Sequence, residues 1–458
     1  MDNSKQATLE LGTKPVGKLL MQYALPAIAS MTAASLYNMT DSIFIGQGCG
    51  ALAISGLAVT FPLQNLAAAF GAGVGIGAST CISVKLGQKD YTTAERVFGN
   101  AFTLNVIIGV AFSIISLLFL DPILRFFGAS DATLPYAREY MVITLAGNAI
   151  SHMFFGLNAI LRAASKPRSA MMASIMTVVL NAILSPIFIW PLHMGIQGAA
   201  LATVLSQVVA VMWQCRLFGN KAEVIHFERG IYGLQTDIVK RIFAIGMSPF
   251  AMNTCACVVV IFINNALAKY GGDLAVGAYG IVMRICFVFV MVNMGINQGM
   301  LPIAGYNYGA QRFDRLVKVL VYAMVAASMV TVAGFAIAQT VPDTCARLFT
   351  TDETLIGLSV RGMRIAMAAF PLVGYQMVVT NFFQGIGKAK ISIFLSLSRQ
   401  MLFLLPLLIV LPPFMGVDGV WWSMPGADAL SALVAGCMMM RYMKKFKQQH
   451  KMMSDGKK

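Results

Sequence analysis

Twelve apolar runs, each long enough at about 20 residues to cross a bilayer as a helix, follow one another along this chain of 458 residues. They start near residues 17, 52, 94, 138, 168, 196, 238, 274, 317, 355, 390 and 417. In hydrocarbon each backbone polar group must find its partner inside the protein, and a helix meets that demand within one segment. Hydrophobic residues make up 58% of the chain and charged residues 12%, with a mean hydropathy of +0.73. A soluble domain carries roughly twice that charged fraction. The expected fold is therefore an all-α polytopic membrane protein of twelve transmembrane helices.

The runs divide into two sets of six, and the chain repeats itself once, at a nearly constant offset close to half its length. Leu52-Ala53-Ile54 recurs as Leu274-Ala275-Val276, and Gly87-Gln88-Lys89 as Gly309-Ala310-Gln311. Gly195-Ile196-Gln197-Gly198 recurs as Gly416-Val417-Asp418-Gly419, while Pro26, Pro186 and Pro191 fall opposite Pro249, Pro406 and Pro412. Glycine and proline fix backbone geometry, so two halves of one shape keep them while diverging elsewhere. An even number of spans per half makes the repeat parallel, with a pseudo-twofold axis along the membrane normal. Duplicated bundles of this kind are the usual architecture of secondary transporters.

The net charge of +15 is explained by orientation. With the N-terminus in the cytoplasm, the inner loops hold 26 of the 34 Lys and Arg, against six outside (Arg125, Arg138, Lys269, Arg347, Arg361, Arg364). Inner-loop enrichment is what the positive-inside rule expects, so no nucleic-acid partner is needed. Both termini are then cytoplasmic, in the cytoplasmic (inner) membrane of a bacterium. Residues 1–16 read as a cytoplasmic N-terminal segment and 17–218 as a first lobe of spans one to six. Residues 219–236 form a charge- and turn-rich cytoplasmic linker, 237–443 a second lobe of spans seven to twelve, and 444–458 a basic tail. The polar first eighteen residues lack the apolar core of a cleaved signal peptide. The eight cysteines show no metal-like spacing and are read as free thiols.

Catalytic constellations are missing from the pattern. The four histidines are far apart, and Gly71-Ala72-Gly73-Val74-Gly75-Ile76-Gly77 lacks the lysine of a phosphate loop. Small residues alternating within a span read instead as a helix-packing surface. No ATPase signature and no cofactor are expected, so uphill transport would draw on an ion gradient.

Ionisable residues within spans are functional candidates by default. Asp41 lies in Tyr37-Asn38-Met39-Thr40-Asp41 on the outer half of span one, where no Lys or Arg follows Lys18. Tyr37 and Asp41, four apart, share a helix face. Without a basic partner on its own helix, the carboxylate should bind a proton or hold a cation, the alternative being a helix-end aspartate that reaches headgroup water. Asn181 and Ser185 lie four apart on span five, Thr203 and Gln207 four apart on span six, with Tyr140 and Asn158 on span four. Shifted by the local offset, Asp41 falls near Asn264, Asn181 near Phe403 and Thr203 near Met424. Polar groups needed only for folding should survive in both halves, so the asymmetry favours a site in the first. Arg284, Arg399 and Asp428 lie inside second-half spans, either as a structural network or lining a water-filled cavity. His152 sits near the middle of span four, where it would relay a proton or fill a hydrogen-bonded interior site. Pro26 and Pro249, early in the first span of each half, should bend their helices and are candidate hinges.

At these residues the chain resembles the multidrug and toxic compound extrusion (MATE) family, including its MepA-like bacterial branch, from about Val16 to Met443. The most specific elements are Tyr37-Asn38-Met39-Thr40-Asp41 with Ile45-Gly46, the Gly87 and Gly309 loops, and Gly195-Ile196-Gln197-Gly198-Ala199-Ala200. The resemblance implies two six-helix lobes around a V-shaped cavity, exporting organic cations in exchange for H⁺ or Na⁺. It implies that Asp41, Asn181, Thr203 and the carbonyl of Ala199 surround the coupling ion, with Tyr37, Tyr140 and Asn158 lining the adjoining cavity. Gln207 and Arg284 join that cavity set on their position alone. Ser185 departs from the pattern, since such relatives carry a second aspartate there. One carboxylate where two are expected weakens the case for Na⁺ at Asp41, Asn181 and Thr203, and favours H⁺. Other branches place an acidic residue in spans seven and ten, and this chain has none in the membrane part of either.

The expected function is a secondary active antiporter for amphipathic, mostly cationic drug-like compounds, with the lipid bilayer as its setting and no obligate protein partner. Two rivals belong to other classes. A flippase for a lipid-linked oligosaccharide or another lipid-like substrate would share the duplicated architecture but needs several basic residues in its cavity, where Arg284 and Arg399 are the only deep candidates. A membrane-embedded enzyme would need a catalytic constellation.

Overall fold

The computed structural model describes residues 2–455, excluding the side chains of residues 2–4, 36–40, 46, 51, 273, 447 and 449–455. The described elements are helical. The first half runs α1 (Asp2–Thr13), α2 (Val16–Cys49), α3 (Ala51–Gly87), α4 (Tyr91–Leu118), α5 (Leu120–Phe126), α6 (Leu134–Ala146), α7 (Asn148–Ala163), α8 (Pro167–Ile189) and α9 (Gly195–Phe218). The second runs α10 (Thr236–Gly272), α11 (Leu274–Gly309), α12 (Phe313–Thr340), α13 (Pro342–Arg347), α14 (Glu353–Ala366) and α15 (Phe370–Gly385). It closes with α16 (Ala389–Leu397), a seven-residue π-helix (Ser398–Leu404), α17 (Leu405–Val410), α18 (Pro412–Met415) and α19 (Val417–Asp455). Among the described residues nine helices are long and apolar enough to cross a bilayer. Two bent pairs, α6 with α7 at 56° and α14 with α15 at 53°, raise the number to eleven. The remaining expected span is α2, where residues 36–40 and 46 fall outside the described side chains.

The repeat is written into the backbone. Gly50 and Gly272 both have positive φ, as do Lys89 and Gln311, Ser165 and Gly387, and Gly195 and Gly416, at φ between 57° and 85°. Every pair keeps the offset of the repeat to within one position, so the same turn recurs at the same place in both halves. At Gly272 (φ 69°, ψ −169°) the backbone takes a conformation open essentially to glycine alone, and this breaks α10 from α11.

The chain forms two compact units that cut across the expected lobe boundaries. One contains α1 and Ala29–Phe250; the other contains Lys14–Ile28 and the chain from Ala251 onward. The start of α2 therefore packs with the second unit, and the start of α10 with the first. Glycines in each unit accept the incoming segment. In the first unit a β-carbon on Gly73 would lie 3.1 Å from the Gly246 carbonyl oxygen, and one on Gly77 would collide with the carbonyl of Ile242. In the second unit, β-carbons on Gly295 and Gly299 would lie 2.6 Å from Ile28 Cα and Ala24 N. Gly295 and Gly299 are the repeat counterparts of Gly73 and Gly77. Gly71 and Gly75, on the other face of α3, touch the backbone of His152 and Gly156. The glycine run is a two-sided packing surface.

The segment expected as a linker, 219–236, is a strap belonging to the first unit. Asn100 Nδ2 donates to the carbonyls of Gly233 at 3.1 Å and Ile231 at 3.4 Å, and Asn100 Oδ1 accepts from Gln235 N at 2.7 Å. Thr103 donates to the Tyr232 carbonyl at 3.0 Å, and Gly99 lets the Ile231 carbonyl approach. Phe227 packs among Phe98, Phe102 and Phe218 in tilted and edge-on contacts. Ile231 is buried, and its carbonyl would otherwise be left unpaired there.

Candidate functional site

The hairpin of α8 and α9 sets the geometry. Gly198, at its turn, lets α9 come close to Phe188, where a β-carbon would lie 2.9 Å from the Phe188 side chain and 3.0 Å from its backbone. Asn181 and Ser185 on α8 then face Ala199 and Thr203 on α9, and Asp41 on α2 meets Ser185. A continuous chain of hydrogen bonds results. Ser185 Oγ lies 3.2 Å from Asp41 Oδ1 and 3.1 Å from Asn181 Oδ1. Asn181 Nδ2 donates to Thr203 Oγ1 at 3.0 Å, and Thr203 Oγ1 donates to the Ala199 carbonyl at 3.1 Å. Asp41, Asn181, Ser185 and Ala199 are all buried, and Thr203 is half-buried.

Serine has one hydroxyl hydrogen and two acceptors here, so Ser185 must choose between them. When Asp41 is ionised, the Ser185 hydrogen points at the carboxylate. When Asp41 carries a proton, it can donate to Ser185 Oγ, and the serine hydrogen turns toward Asn181 Oδ1. Ser185 thus links Asp41 to Asn181, and Asn181 in turn links α8 to Thr203 on α9. Among the described residues no Lys or Arg forms an ion pair with Asp41.

The other expected residues divide. Tyr140 is buried on α6, with its hydroxyl against Thr203 and its ring in the cluster that holds Ala199 and Ala200. Tyr37 lies outside the described side chains. Asn158 is drawn into a different cluster. Its Nδ2 donates to the Ala170 carbonyl at 2.9 Å and to Ser174 at 3.1 Å, and its Oδ1 accepts from Arg162. Gln207 accepts from Ser151. Arg284 is exposed on α11, and among the described residues no hydrogen bond or ion pair joins it to Arg399 and Asp428, which pair with each other at 2.6 Å. His152 is fully buried against Gly71. Pro26 lies inside the continuous helix α2 and Pro249 inside α10, each just before the residue where the chain passes between units.

Sequence reading missed the Arg162–Asn158 and Ser151–Gln207 contacts, although each begins with a polar residue inside an apolar run. It also missed Glu95, His226 and Glu228, whose donor atoms lie within 4.8 Å of one another. His226 Nδ1 is 3.0 Å from the Glu223 carbonyl and 3.5 Å from Glu95, a contact that ties the strap to α4.

A family profile described as MatE matches residues 26–187 and again 249–410. The chain belongs to the MatE family. The two matches are set apart by the spacing of the repeat, to within one position. Among relatives, "Multidrug export protein MepA" of Staphylococcus haemolyticus (strain JCSC1435) is 29% identical over 425 residues, covering 91% of this chain and 92% of the relative. The protein of that name from Staphylococcus aureus (strain NCTC 8325 / PS 47) is 27% identical over 421 residues, covering 92% and 93%. An outward-facing structure of a multidrug resistance MATE family transporter of the MOP superfamily superposes with a TM-score of 0.90 at 25% identity, over 96% of this chain and 98% of that one. A MATE structure in the bent conformation gives 0.91 at the same identity and coverage. The chain is thus a MepA-like MATE transporter with an all-α membrane fold.

Proposed function

We propose that this MATE protein is a multidrug efflux antiporter of the bacterial cytoplasmic membrane, with both termini cytoplasmic. It exports amphipathic, mostly cationic compounds in exchange for H⁺. The names of its relatives support multidrug export, and the first-unit network supports the choice of ion. The observation that carries the reading is Ser185 hydrogen-bonded to Asp41 where a second carboxylate would complete a Na⁺ site. Na⁺ is a hard cation that exchanges hydration water for oxygen ligands. Here it would find one carboxylate, itself hydrogen-bonded by Ser185, with the Ala199 carbonyl engaged by the Thr203 hydroxyl. A proton needs one basic oxygen, which Asp41 provides.

Exchange follows from differential affinity. Ionised Asp41 attracts an organic cation, and protonated Asp41 does not, so the two ligands favour different states of the same network. Pro26 and Pro249 are the proposed hinges between those states. In proteoliposomes, a pH gradient alone should drive drug movement without Na⁺, and Ser185→Asp should raise Na⁺ dependence at least several-fold. Transport that requires Na⁺ and ignores the pH gradient would falsify proton coupling.

A further inference from the structure

The second unit holds a buried charge of its own. Asp428 on α19 is 4% exposed and lies about 16 Å along the helix from Val417, at 1.5 Å per residue. Arg399 Nε stands 2.6 Å from its Oδ1, with the arginine side chain 31% exposed and the aspartate 5%. Taking two charges out of water is costly, and the fold does not demand it. At the local repeat offsets used above, the first-unit counterparts of Arg399 and Asp428 are Thr177 and Gln207, both uncharged.

Both helices carrying the pair are irregular at that point. Arg399 is the second residue of the π-helix, a rare element often found at functional sites, and Pro425 lies one turn before Asp428. Tyr279 and Cys286 of α11 lie within electrostatic range of the pair, and Tyr279 faces Trp421 with ring centroids 6.2 Å apart. A carboxylate with aromatic neighbours is the usual receptor for a delocalised organic cation. The guanidinium of Arg399 is such a cation, tethered to the protein. Its partial exposure gives a free cation a route to the carboxylate from the side the arginine occupies.

We propose that Asp428 is a second organic-cation site, and that Arg399 is its built-in occupant, displaced when a free cation binds. The proposal rests on the reading of this protein as an organic-cation exporter, and it separates two roles. Asp41, with no ion-pair partner among the described residues, is where the coupling ion and a cation exclude one another; Asp428, with a planar cation already seated, is a second seat for the drug.

The test is equilibrium binding of ethidium to the detergent-purified full chain, followed by fluorescence, with no transport required. Arg399→Ala should bind ethidium at least fivefold tighter than the parent. The double variant Arg399→Ala/Asp428→Asn should lose that gain. Methylguanidinium at millimolar concentration should raise the melting temperature of Arg399→Ala and compete with ethidium, and should do neither in the double variant. A pair that only staples two helices predicts a lower melting temperature, no gain in affinity and no methylguanidinium effect, and that result would overturn the proposal. Should Arg399→Ala fail to fold, Arg399→Lys keeps the charge but loses the planar fork. It should gain about twofold in affinity, and no gain would count equally against the proposal. Because Asp41→Asn tests export separately, either reading can fail while the other stands.

Discussion

The same scaffold holds a hydrogen-bonded polar chain at one place in the first unit and a hydrophobic cluster at the matching place in the second. Where the first unit places Asn181 and Thr203 in a hydrogen-bonded chain, the second places Phe403 and Met424 against a hydrophobic cluster. Tyr140, with Ala199 and Ala200 beside it, corresponds to Gly362, with Trp421 packed over it. The bulky side chain has moved from one helix to its neighbour. The space stays filled, and the hydroxyl that reaches Thr203 is gone. Turn positions cannot drift this way, because a positive φ is fixed by backbone sterics. Duplication therefore preserved the skeleton and released the interior, and the two buried carboxylates ended at unrelated positions.

That contrast breaks most sharply at Asp41. Asp41→Asn should reduce ethidium efflux from cells at least tenfold at normal expression, because no other carboxylate joins its hydrogen-bond chain. Asn264→Ala, at the matching position of the second unit, should leave efflux within about twofold. Equal losses would dissolve the assignment of coupling to one unit.

The swapped large and small residues predict an intermediate effect, on stability rather than transport. A β-carbon at Gly362 would sit 2.5 Å from the Trp421 ring, so Gly362→Ala should destabilise the second unit by about 1–3 kcal/mol. Trp421→Phe should recover much of that loss in a double-mutant cycle. Additive losses in thermal unfolding would show that the two residues do not share the space as described.

The smallest effect concerns the turn between α3 and α4. Lys85 Nζ is 2.9 Å from Asp90, and Asp90 also caps α4 through Thr93 N at 3.1 Å. The Lys85 ammonium, aided by Thr93, holds the Asp90 carboxyl below its usual 3.8. At the repeat offset the second unit has Asn307 and Arg312, which cannot titrate in this range. A depressed carboxylate contributes stability above its unfolded value and loses it as pH falls through the folded one. Asp90→Asn should thus cost about 1 kcal/mol or less at pH 7, since the pair is partly exposed, and the difference should shrink as the pH falls below the usual carboxylate value. A pH-independent difference in melting temperature would assign the effect to packing instead.

Much of the fold was legible because bilayer physics is blunt: apolar runs become helices, and glycines and prolines mark where they break. The first-unit set was legible for a related reason. Asn181 and Ser185, or Ala199 and Thr203, share a face through four-residue spacing alone. What stayed hidden depends on register between helices. Nothing local to Asn100 announces the carbonyls of Ile231 and Gly233 as its partners. Arg399 and Asp428 were visible as charges inside spans, but their pairing, and the exclusion of Arg284, required knowing which faces meet. Asn158 was expected beside a cavity and is instead engaged by Arg162, Ala170 and Ser174.

The reciprocal exchange of Lys14–Ile28 and Thr236–Phe250 has a consequence for biosynthesis. Helices enter the membrane in the order of translation, yet the first of them belongs with a unit whose glycine seat at Gly295 and Gly299 has not been made. The first unit, in turn, stays open at Gly73 and Gly77 until translation passes the strap and delivers Phe250. Neither half is a finished product at the ribosome, and a chain truncated after the strap would leave the seat at Gly73 and Gly77 empty and Lys14–Ile28 without a seat of its own. The same logic reaches back to the duplication. A half-length ancestor would have had no segment for its own seat, except by lending its first helix to a second copy and borrowing one in return.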